Sequence, residues 1–80
     1  MPTLLRVQGF EFFFYSSEGN EPPHVHVDRE RSTCKFWLDP LTLDNSNGFG
    51  TAELGRIREA ILKHRSTILE AWREHCGAIE

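Results

Sequence analysis

The hydrophobic pattern changes period once along this chain, and that change limits the fold more than any other feature. Up to about residue 43, apolar residues fall in short runs that suit strands, with a period of about 2; from Thr51 onward they recur at about 3.6. A strand half followed by a helical half describes an α+β domain. A parallel sheet would need crossover helices between its strands, and no segment is long enough to supply them. With 80 residues there is material for a single core. The pattern therefore predicts a small, mostly antiparallel sheet of about four strands packed against one long C-terminal helix. The whole chain, 1–80, reads as one domain, with the sheet in 1–43 and the helix in 51–76.

Turn chemistry divides the first half. Thr3–Val7 and Phe10–Tyr15 are rich in strand formers, and Gln8-Gly9 between them suits a tight hairpin turn. Ser16–Pro23 reads as a loop ended by two prolines. His24–Arg29 and Thr33–Leu38 are the third and fourth strands, and Asp39-Pro40 closes the fourth. Leu41–Leu43 is a short fifth strand or a docked turn, and Asp44–Gly48 is a loop by composition.

In the second half Thr51 is the expected N-cap, with Leu54 where an acidic N3 residue would be usual, and Gly77 is the expected stop. Leu54, Ile57, Ile61, Ile68, Leu69, Trp72 and Cys76 share one broad face, which covers one side of the sheet. Arg58 and Arg65 fall within that stripe. Each either lays its stem over apolar surface, reaches a carboxylate, or binds an anion where helix meets sheet. His64 and His75 sit at the stripe edge as structural histidines.

Charge and cysteines exclude several classes. Nine Lys plus Arg against twelve Asp plus Glu give a net charge of −3. Nucleic acid is therefore not favoured as a partner, although a local basic patch could exist. Cys34 and Cys76 form no CxxC, which removes disulfide scaffolds and zinc ribbons. No apolar run approaches the roughly 18 residues of a membrane span, and no leader is evident. A cytoplasmic location without membrane attachment is expected.

The sheet carries more aromatic surface than one helix covers. Phe10, Phe12 and Phe14 share one parity, and Phe13 and Tyr15 share the other. That surface implies a partner, a homodimer or an extended loop lying over the second face, and Phe13, Tyr15 and Trp37 are the candidate partner-binding residues.

Chemistry concentrates in Glu21-Pro22-Pro23-His24-Val25-His26-Val27-Asp28. On a strand, His24, His26 and Asp28 face one way and the valines the other, so the valines are expected in the core and the histidines opposite. His24 and His26 are candidate ligands for a divalent metal such as zinc, with Glu18, Glu21 or Cys34 as a third donor. With Arg65 or Arg29 as a charge clamp they are also candidates for acid–base catalysis, including metal-free cleavage of RNA. Such a site would lie where the Ser16–Pro23 loop meets the third strand. Exchanging both histidines for Gln is then expected to spare the fold.

Several motifs together resemble a known family. Gly9-Phe10, Phe13-Phe14-Tyr15-Ser16, the run Glu18 to Val27, Lys35-Phe36-Trp37-Leu38, Gly48-Phe49, His64-Arg65 and Leu69-Glu70-Ala71-Trp72 resemble the small bacterial proteins of the domain of unknown function 4160 family. The resemblance implies a bacterial, cytoplasmic protein without an established activity. It also implies a gene neighbour encoding another small protein, in a toxin–antitoxin-like arrangement. It supplies no catalytic residues.

Overall fold

The computed structural model describes residues 3–14 and 22–75. Five strands form one antiparallel sheet in the order β1-β2-β3-β4-β5: β1 (Thr3–Val7), β2 (Phe10–Phe13), β3 (His24–Arg29), β4 (Ser32–Leu38) and β5 (Leu41–Asn47). Two helices follow, α1 (Thr51–Lys63) and α2 (Arg65–His75). The architecture is α+β, as the pattern predicts, with sequence neighbours paired as hairpins. Tyr15, Glu18, Glu21, Cys76 and Gly77 lie outside the described residues.

Tight turns set the register. Gln8 and Gly9, at φ 53° and 85°, join β1 to β2 across the Val7–Phe10 pair. Two positive φ values in a two-residue loop match the right-handed twist of the flanking strands. Glu30 takes φ 55° in the turn that pairs Arg29 with Ser32, and a cis Asp39–Pro40 bond occupies the turn between Leu38 and Leu41.

Two expectations need correction. The segment read as a loop after Leu43 continues the fifth strand to Asn47, pairing Asn45, Ser46 and Asn47 with Lys35, Cys34 and Thr33. Asp, Asn and Ser disfavour strands by propensity, but backbone pairing along an exposed edge outweighs that preference. The irregularity falls between Lys35 and Phe36, whose partners Asn45 and Leu43 leave Asp44 as the extra residue of a bulge. The single long helix is broken at His64, with φ −110° and ψ 23°. The hydrogen-bond ladder runs through this break: the His64 N–H donates to the Ala60 carbonyl and the Ile68 N–H to the His64 carbonyl, each at 3.0 Å.

The helix start also shifts. Gly50 is the N-cap of α1, which places Glu53 at N3, and the Gly50 N–H donates to the Glu53 carboxylate at 3.1 Å. The same carboxylate meets Arg29 at 3.9 Å, linking the end of β3 to the first turn of α1. Arg29 also lies over the Phe10 ring, 5.0 Å from its centroid.

One sheet face makes the core. Phe10, Phe12, Phe14, Val25, Val27, Cys34, Phe36 and Leu38 are buried there with Ile57, Ala60, Ile61, Ile68 and Trp72 of the helices. Each fully buried branched or aromatic side chain contributes roughly 1.5–3 kcal/mol of transfer free energy. Val25 and Val27 are on the core side, as alternation predicts. Arg58 is exposed on α1 and takes no part in the core stripe.

Candidate functional site

The face opposite the helices carries the chemistry-bearing residues in adjacent rows. Register pairs Phe13 with His26 and His26 with Lys35 in one row, and His24 with Trp37 in the next. Strand alternation then places His24, His26, Lys35 and Trp37 side by side.

His24 is not a surface residue. It is 0% exposed, and its imidazole is enclosed by rings: Trp72 at 4.8 Å between centroids, His26 at 5.2 Å and Trp37 at 5.5 Å. Its Nδ1 donates to the Pro22 carbonyl at 3.0 Å. A buried polar ring needs such a partner, and the stiff Pro22-Pro23 step presents one. The Pro23 carbonyl in turn accepts from the Leu38 N–H at 3.0 Å, which fastens the entry to β3 against the end of β4. His26 is half-buried and stacks on Phe13, 5.5 Å between centroids with 19° between planes.

Phe13 is 3% exposed, which corrects its expected place on a free binding surface. Trp37 remains half-buried. Lys35 places its ammonium 4.4 Å from the Trp37 ring centroid, a cation–π contact. The Trp37 indole N–H donates to Asp44 at 3.2 Å, and Asn45 donates to the same carboxylate at 3.2 Å. The bulge in β5 is what brings Asp44 to this side of the ladder. Beside the indole lies a shallow, largely apolar pocket of about 270 Å³, lined by Pro22, Trp37, Asp39, Pro40 and Thr42.

Arg65 does not join the imidazoles. Its guanidinium reaches the Asp39 carboxylate at 3.6 Å, at the rim of this pocket, with side-chain exposures of 37% and 77%. Cys34 is excluded as a third metal donor because it faces the core and is buried. Burial, and secondly the Asp28 carboxylate, push its thiol up to about 12. Among the described residues no group of three His, Cys, Asp or Glu side chains is placed to hold a metal ion.

The structure thus unites His24, His26 and Trp37, pairs Arg65 with Asp39 at the rim of the Trp37 pocket, and adds Lys35, Asp44 and the proline-walled pocket. The shared parity of Lys35 and Trp37 is a readable signal for the first. Asp44 could not be placed without the bulge.

Fold and site together define a small α+β domain with an aromatic and cationic patch opposite its helices. Residues 9–73 match the family model described as Domain of unknown function (DUF4160), and the chain belongs to that family. No curated protein matches the chain, and no solved structure does. Among the described residues no helix is long and apolar enough to cross a membrane.

Proposed function

We propose that this chain is a protein-interaction component of a bacterial two-gene, toxin–antitoxin-like system, and that it grips its partner through the Trp37 patch. One observation carries this reading: Trp37, with the Lys35 ammonium over its ring and its indole N–H donated to Asp44, stands at the edge of a proline-walled apolar pocket. An aromatic platform fixed on both sides loses little conformational entropy on binding, and rigid aromatic anchors dominate interface energetics. The partner is a small protein that inserts an apolar side chain against Trp37, Pro22 and Pro40.

The catalytic and zinc-binding alternative draws on the 5.2 Å separation of the His24 and His26 rings. The burial of His24 and the engagement of its Nδ1 with Pro22 weigh against it.

The test is co-expression with the product of the adjacent gene, followed by affinity capture and size measurement. A complex is expected, with Trp37→Ala weakening it at least tenfold. Absence of a complex, together with zinc uptake or RNA cleavage that depends on His26, would replace this reading with the enzymatic one.

A further inference from the structure

We propose that the cleft between β1 and α1 is a docking site for an extended, acidic segment of a partner protein, which adds to the sheet as a strand alongside β1. This proposal does not rest on the Trp37 patch: β1 is the edge strand at the opposite end of the sheet from β5.

Backbone, shape and charge all contribute. As an edge strand, β1 pairs only with β2 among the described residues; its register shifts between Thr3 and Leu5, so the regular stretch Leu5–Val7 is the part whose outer N–H and C=O groups form a template for another strand. Where β1 ends, Val7 and Gln8 face α1 and His64 across a cleft of about 640 Å³. An edge strand flanked by a helix is the geometry in which peptides add to sheets: main-chain bonds supply affinity, and alternate side chains enter the groove. The apolar lining is Val7, Ala60 and Leu62, and Leu62 is 51% exposed. Such exposure of a leucine in a concave site favours an apolar side chain from the incoming strand.

Charge selects the occupant. Arg56 and Lys63 line the cleft and are exposed, and neither is in an ion pair among the described residues; Glu59 is the one carboxylate of the lining. The cleft is therefore locally positive on a chain whose net charge is −3. A second copy of this chain is disfavoured, because pairing two β1 edges would bring both sets of Arg56 and Lys63 together. A segment alternating apolar residues with Asp or Glu complements both the lining and the charge.

The test uses a phage-displayed library of random octapeptides selected on the immobilised full chain. Selected peptides should alternate Val, Ile or Leu with Asp or Glu. Methylating alternate backbone nitrogens of the selected peptide should abolish binding, as strand addition requires. The Arg56→Glu/Lys63→Glu double variant should bind at least tenfold more weakly while keeping its circular dichroism spectrum. Amide shift changes on titrating the peptide into the unaltered chain should centre on Leu5–Val7 and Arg56–Lys63, a readout independent of whether the variant folds. A selection that yields no binder, or yields basic or proline-rich peptides, would overturn the proposal. So would shifts centred on β5 or Trp37, or equal binding of the methylated peptide.

Discussion

The His24 imidazole rests against the Trp72 indole with 4.8 Å between ring centroids, and that contact ties the start of β3 to α2. Trp72 also meets Phe14 edge-on at 5.3 Å. By strand parity Phe14 belongs to the core face and His24 to the opposite one. One indole therefore joins both faces at the end of the sheet, and His24 is part of how α2 is held.

That contact reverses the expected tolerance of His24. Replacing it with Ala removes its stacking partners and leaves a void between Trp37 and Trp72. Large-to-small changes of this kind cost about 2–4 kcal/mol. His26, half-buried on the rim of the same cluster, should cost about 1 kcal/mol or less as His26→Gln. Urea denaturation of the two single variants checks this, and equal midpoints would refute it.

Cys34 gives a pH dependence with a definite sign. An unfolded thiol titrates near 9, and the folded one is pushed up to about 12. Below about pH 9 both states keep the proton and this contribution to stability is complete. Between pH 9 and about 12 the unfolded chain loses its proton first, so stability falls as pH rises. A Cys34→Ala chain should lack that slope. In a Cys76→Ser background, a thiol reagent at pH 8 should label Cys34 only as fast as the protein unfolds.

Two glycines should respond in opposite directions to alanine. Gly48 has φ +100°, and an added Cβ would stand 2.6 Å from the Ser32 hydroxyl and 3.2 Å from its Cα. Strain and crowding together should cost about 1–3 kcal/mol. Gly55, inside α1, would place its Cβ in open space. Its replacement should stabilise by about 0.5–1 kcal/mol through helix propensity. Thermal melts that move in the same direction for both would contradict this account.

The Arg65–Asp39 pair is predicted to be marginal. Both side chains are substantially open to water, and exposed pairs contribute about 0–1 kcal/mol. Arg65→Gln should shift stability by less than about 1 kcal/mol, with the difference shrinking further in about 1 M salt. A larger loss in a denaturant titration would show that Arg65 packs more than it pairs.

Periodicity alone determined the α+β class, the hairpin order, the valine core face and the place of the helical half, because alternation and helical stripes are local properties of the chain. It also put His24 and His26 on one strand face. The tertiary structure decided what those residues can do. The sealing of His24 depends on Trp72, which is 48 residues away in sequence and arrives only through the packing of α2. Likewise, the second half of β5 exists because β4 offers a backbone to pair with, and its bulge alone turns Asp44 toward Trp37. No Pro or Gly lies between Glu59 and Trp72 to signal the break at His64. A local pattern states which residues prefer burial; which partner buries them is a long-range choice, made when the sheet and both helices share one core.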